Sequence, residues 1–185
     1  MTLLDRVVRL LTDQRVPHAV IGAAALAAHG VARSTYDIDL LTTDARVLVA
    51  SLWGPLQAEG VTVEIRRGDA DDPLGGVVRL AAPGQRPVDL VIGKHRWQAV
   101  AVDRAESHSG SPAVVSARDL VLLKLYAAGR QDLWDVRELL QLPTAAELIA
   151  DVEADLPAHS RAMQEQWAEV RHQIGAPDVP PPSAT

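Results

Sequence analysis

Asp37 and Asp39 flank Ile38 in the run Thr35 to Leu41 (TYDIDLL), which reads as a strand. Alternation along a strand puts both carboxylates on one face, a few ångströms apart, with Tyr36, Ile38 and Leu40 on the other. Carboxylates so close repel, and a divalent cation between them is the obvious compensation. Ligation by oxygen alone, with no cysteine in the chain, points to Mg²⁺ or Mn²⁺, which keep waters and take nucleotide phosphates as further ligands. The plain alternative is a pair of acids on a solvated sheet face. A third acid, Asp89, interrupts the apolar run Pro87 to Ile92 (PVDLVI), where burying a carboxylate is costly unless it is paired. On a neighbouring strand it would complete a triad able to hold two metal ions about 3.5 to 4 Å apart, one carboxylate serving as base for an attacking hydroxyl. Glu64 in VTVEIRR is the competing acid, but it fits plain alternation as an outward residue, so Asp89 is preferred.

Two further features bear on phosphate chemistry. Gly22 stands between the strand-like VPHAVI and the helix-like AAALAAHG, and a glycine at such a turn lets helix N-terminal amides approach a phosphate; ordinary turn punctuation is the alternative. Lys94 and Lys124 are the only lysines among 18 bases. Lys124 lies in DLVLLKLYAA, apolar on nearly every side, so it needs a carboxylate or phosphate partner unless it snorkels to the surface.

These residues must be positioned by a mixed set of elements. The spacing of Leu3, Val7, Leu10 and Leu11 predicts an amphipathic helix over 2–13, followed by a strand over 16–21 and a small-residue helix ending at Gly30. After the Asp37 strand, a helix is expected from Asp44 to Gln57, then strands over 61–66, 77–80 and 87–92 and a weak one over 99–102. From Ser116 onward the pattern is helical, with segments ending near Gly129, Leu142, Leu156 and Ile174. The expected organisation is an α/β core over 1–115, a C-terminal helical region over 116–174 and a disordered tail over 175–185 (GAPDVPPPSAT).

Composition narrows the function classes. The chain has 185 residues, enough for one domain with an appendage, and without cysteine it has neither disulfides nor a thiolate zinc site. With 3% aromatics and no Phe, stacking platforms for single-stranded nucleic acid are not expected. A net charge of −6 argues against general nucleic-acid coating while leaving room for a local basic groove. The longest apolar run, Ala19 to Ala28, is half of the roughly 20 residues that span a membrane, and Asp5 and Asp13 spoil a basic leader, so a cytoplasmic protein without a membrane partner is expected.

The ordered combination IGAAALAAHGVARSTYDIDLL, then VDL, then DLVLLKLYAAGRQDLWDVREL resembles the nucleotidyltransferase superfamily with a DNA polymerase β-like core, and within it the AbiEii/AbiGii-type toxin nucleotidyltransferases. The resemblance runs from about Val16 to Leu140. It implies a mixed twisted sheet with helices packed on it, a C-terminal helical extension, and transfer of a nucleoside monophosphate from a nucleoside triphosphate to a hydroxyl on RNA, a protein or a small molecule. By the same resemblance, Asp37, Asp39 and Asp89 bind Mg²⁺ or Mn²⁺, with Asp89 the potential base. Gly22 and Ala23 form the phosphate turn, Arg33 and Thr35 lie near the nucleotide or acceptor, with an ion pair that holds the loop as the alternative for Arg33, and Lys124 contacts phosphate. Arg130, Asp132 and Asp135 match a later segment that either braces helices or joins the site. A tRNA or protein acceptor and a cognate antitoxin or toxin are the implied partners, in a toxin–antitoxin or phage-defence setting, although little chain remains beyond the core to grip a tRNA. The departure is Ala23, where the family carries Gly or Ser, and the loss of a hydroxyl donor there raises the alternative of a non-catalytic, antitoxin-like nucleotide-binding protein. A metal-dependent glycosyltransferase using D-x-D is disfavoured by the short stretch before the motif.

Overall fold

The computed structural model describes residues 1–33, 35–107 and 111–175. The chain divides into two compact units, Met1–Leu120 and Val121–Thr185. The expected disordered tail lies, from Ala176 on, outside the described residues.

The first unit opens with helix α1, Leu3–Asp13, started by a capping box in which the Thr2 side chain accepts from the Asp5 amide and the Asp5 carboxylate accepts from the Thr2 amide. Its stripe of Leu3, Val7, Leu10 and Leu11 is buried. Five strands follow: β1 Ala19–Val20, β2 Ile38–Thr42, β3 Thr62–Arg67, β4 Leu74–Ala81 and β5 Val88–Gly93. They form one sheet in the order β1-β2-β5-β4-β3, in which β2 and β5 run parallel and the other neighbours antiparallel. Helix α2, Gly22–Ala28, connects β1 towards β2, with Gly30 in the left-handed region just beyond its end.

Register explains how the sheet separates charge from core. Leu40, Leu90, Val78 and Ile65 are successive cross-strand partners, as are Ile38, Val88, Leu80 and Val63; five of them belong to the buried apolar cluster that also takes in α1 and Trp53, and Ile38, Val63 and Ile65, partly buried, pack against it. Each fully buried side chain of this kind contributes about 2 kcal/mol. Between those two rows, one residue out of phase and therefore on the opposite face, runs the row Asp39, Asp89, Arg79 and Glu64.

Several expected elements differ. The strand bearing the acids starts at Ile38, so Asp37 precedes it, and Tyr36 is exposed instead of sharing the inner face of Ile38. Arg86 donates to the carbonyls of Thr35, Tyr36 and Asp37, which fixes that segment by a side chain in place of a strand ladder; the first ladder bond runs from the Ile38 amide to the Pro87 carbonyl. The helix expected over 44–57 is two 3-10 turns, Ala45–Leu48 and Ala50–Trp53, then a short α3, Gly54–Ala58, because Val49 adopts an extended conformation between them. The weak strand over 99–102 lies inside helix α4, Arg96–Asp103, where the Gln98 side chain accepts from the His95 amide at the helix start. Four apolar residues in a row carry no period of their own, and the start signal decides.

Helix α5, Ala117–Ala127, spans the boundary between the units. The second unit continues with α6 Arg130–Leu139, α7 Ala145–Asp155 and α8 Arg161–Gly175. Its buried apolar residues include Val136, Leu139, Val152, Met163, Trp167 and Val170.

Candidate active site

The site is built on the polar face of the sheet. Parallel pairing of β2 and β5 sets Asp39 beside Asp89, and antiparallel pairing of β5 and β4 sets Asp89 beside Arg79. The Asp89 side chain is 18% exposed, so its carboxylate is largely withdrawn from water. Arg79 Nη1 donates to Asp89 Oδ2 at 2.8 Å and to Asp37 Oδ2 at 3.3 Å, so one nitrogen joins two of the three acids. The other oxygens, Asp37 Oδ1 and Asp89 Oδ1, are buried without a hydrogen-bond partner. A buried, unpartnered carboxylate oxygen is costly, and a cation or donor brought by a ligand relieves that cost. Burial pushes the Asp89 carboxyl above the usual carboxylate range and the nearby Asp37 adds to this, against the pull of Arg79.

Gly22 closes the other side of Asp39. The β1–β2 ladder continues through the Ile21 amide to the Asp39 carbonyl, which carries the next residue up against the Asp39 side chain. Gly22 has φ +63, and a Cβ there would stand 2.1 Å from Asp39 Oδ2. Only glycine meets both demands. Ala23, next in the helix, is buried.

The residues expected to support the acids divide. The Thr35 hydroxyl donates to the Asp37 carbonyl, shaping the turn that presents Asp37, and Arg33 is half-buried on the same segment. Lys124 lies in the second unit and is buried, as its apolar neighbours require; its Nζ is 3.0 Å from Asp132 Oδ1 and 2.6 Å from Asp135 Oδ2. It does not snorkel. Asp132 is admitted by Gly129, where a Cβ would stand 2.7 Å from Asp132 Oδ2. Arg130 begins α6.

Two arginines were missed by sequence reasoning. Arg79 sits in VVRL in phase with Asp89 once the strands are paired, but the pairing itself is not written in either segment. Arg86 lies on the β4–β5 turn, and three carbonyls from residues about fifty positions away converge on it. Glu64, set aside as a plain outward residue, lies at the end of the charged row and, with Arg66, Val77, Arg79 and Asp89, lines a cavity of about 300 Å³.

The carboxylates fit a divalent cation in donor type and in the unpartnered oxygens of Asp37 and Asp89. Among the described residues, however, no three Asp, Glu, His or Cys side chains are drawn together closely enough to hold one as they stand.

Among solved structures, the antibiotic-resistance factor ANT(2″)-Ia in solution matches with a TM-score of 0.54 at 16% identity, over 93% of this chain and 95% of that one. A candidate nucleotidyltransferase from Thermotoga maritima matches with a TM-score of 0.51 at 18% identity, over 75% of this chain and 91% of its own. The chain has the nucleotidyltransferase fold. No protein-family profile matches the sequence, and no curated protein matches it. Among the described residues no helix is long and apolar enough to cross a membrane.

Proposed function

We propose that the protein transfers a nucleoside monophosphate from a nucleoside triphosphate to a hydroxyl acceptor and releases pyrophosphate. The observation that carries this reading is the pair of buried, unpartnered oxygens on Asp37 and Asp89, beside Asp39, on the polar face of a nucleotidyltransferase fold. Mg²⁺ or Mn²⁺ held by Asp37, Asp39 and Asp89 would neutralise triphosphate charge and favour the ionised acceptor oxygen. Asp89, whose carboxyl is raised by burial, takes the proton of the acceptor hydroxyl as its oxygen attacks the α-phosphorus. The bond from the α-phosphorus to the bridging oxygen breaks, and pyrophosphate leaves with that electron pair. Gly22 and Ala23 offer backbone amides to the phosphates, Arg33 and Thr35 hold the approach to Asp37, and Lys124 and Arg130 contribute positive charge to the nucleotide. The Lys124 role requires a phosphate to compete with, or join, Asp132 and Asp135.

The sequence resemblance to AbiEii-type toxins supports an RNA or protein acceptor and a cognate antitoxin. The match over nearly the whole of an antibiotic-resistance factor supports a small-molecule acceptor. A labelled panel of the four nucleoside triphosphates with Mg²⁺, offered with RNA, protein and aminoglycoside acceptors in separate arms, tests the reading. Pyrophosphate release with label on one acceptor class is the expected result. Mg²⁺-dependent nucleotide binding without release in any arm favours the second reading, a non-catalytic binding protein, for which Ala23 in place of a hydroxyl donor is the observation. Absence of nucleotide binding removes both.

A further inference from the structure

We infer that Arg79 is an internal competitor of the metal, a guanidinium that holds the ligand carboxylates together before the cation arrives and has to leave them when it binds. The inference rests on the proposed metal site of Asp37, Asp39 and Asp89 and concerns what that site contains without the ion. A single nitrogen, Arg79 Nη1, lies 2.8 Å from Asp89 Oδ2 and 3.3 Å from Asp37 Oδ2, the convergence of negative charge that a divalent cation would take. Among the described residues no three acids are close enough to hold an ion as they stand, and the guanidinium occupies one oxygen of each of two of them. Both contacted carboxylates keep a second oxygen buried and unpartnered, so Arg79 satisfies them only in part. A forked guanidinium bonded through one nitrogen is held more weakly than a two-pronged pair.

Arg79 is also free to move without disturbing the sheet. Its backbone is ladder-bonded between β3 and β5, while its side chain is 38% exposed and borders the cavity lined by Glu64, Arg66 and Val77. Departure therefore needs side-chain rotation alone. Arg66 lines the same cavity, and its ion-pair partner is Glu64 at 3.5 Å, so it acts on Asp89 only through space. That difference separates competition for the oxygens from a general effect of nearby positive charge.

The experiment measures Mn²⁺ binding without nucleotide, by electron paramagnetic resonance of free Mn²⁺, on the wild type and on Arg79→Gln, Arg66→Gln and Asp89→Asn. Arg79→Met, which keeps the apolar stem on the strand, is a second variant should Gln impair folding. Losing Arg79 is expected to tighten Mn²⁺ binding by about tenfold or more, because the ion no longer displaces two charge-assisted contacts. Arg66→Gln is expected to change it less than about threefold. A purely structural role for Arg79 predicts the opposite sign, since a loosened site binds metal less well. Unchanged or weaker Mn²⁺ binding in both Arg79 variants, or equal tightening in Arg66→Gln, overturns the inference while leaving the metal site standing, provided Asp89→Asn abolishes binding. Mn²⁺ binding that survives Asp89→Asn, or its absence from every protein, removes the metal reading and this inference with it.

Discussion

The two units hold similar charges in opposite ways. In the second, Lys124 meets Asp132 and Asp135 on the next helix, and the lysine and Asp135 are both buried, so the cluster is bonded within itself. In the first, Asp37 and Asp89 share Arg79 as their cation, and each keeps one oxygen buried without a partner. A closed cluster braces helices, since removing the lysine strands the buried charge of Asp135. An incompletely satisfied one carries a cost that a ligand relieves, which is the pattern of a site where something binds.

The largest expected effect belongs to the open cluster. Asp39→Asn and Asp89→Asn are predicted to lower pyrophosphate release by about 1,000-fold, the several kcal/mol a metal contributes to the transition state, while the metal-free melting temperature moves little. Near-normal turnover in either variant, read by a coupled pyrophosphate assay, would erase the distinction between the clusters.

The closed cluster should respond in reverse. Asp135→Asn takes the closer, fully buried acid from Lys124 and leaves it paired with Asp132, and is predicted to cost about 2 to 3 kcal/mol in chemical denaturation. Nucleotide affinity of the folded fraction at low temperature is predicted to hold. If Lys124→Met lowers that affinity beyond what its stability loss explains, the lysine also serves the nucleotide.

Gly22→Ala should come next, destabilising the fold by about 2 kcal/mol through its positive φ and the collision of the new Cβ with Asp39. Because the collision falls on a carboxylate of the proposed metal site, Mn²⁺ binding is predicted to weaken as well. A stable variant with intact binding would show that the approach of Gly22 to Asp39 has no part in the site.

The smallest effect is a pH dependence. The folded carboxyl of Asp89 lies above its unfolded value, so between those two values the native state holds more protons than the unfolded chain. Its contribution to stability is present below the ordinary carboxylate value and is lost as pH rises through the raised one. Urea denaturation of the metal-free wild type and Asp89→Asn over about pH 4 to 7 should show the difference between them shifting in that direction. A constant difference would mean that Asp89 is no more desolvated than an ordinary surface acid.

The sequence by itself determined the element types wherever a period and a start signal agreed. The stripe of α1 behind Thr2 and Asp5, the short apolar runs of β4 and β5 bounded by Gly- and Pro-bearing turns, and the helices after Ser116 are local consequences of residue order. It also singled out Asp89, because an acid in an apolar strand is conspicuous without any partner in view. The tertiary structure alone decided what these residues meet. Asp37 stands off the strand because Arg86 holds its segment from the far side of the β4–β5 turn. Arg79 joins Asp37 to Asp89 because β4 lies beside β5, and Lys124 is occupied because α6 returns Asp132 and Asp135 to it. Periodicity is set by the geometry of one segment, whereas register and approach depend on which segments pair, and that is settled by burying apolar rows from several elements at once.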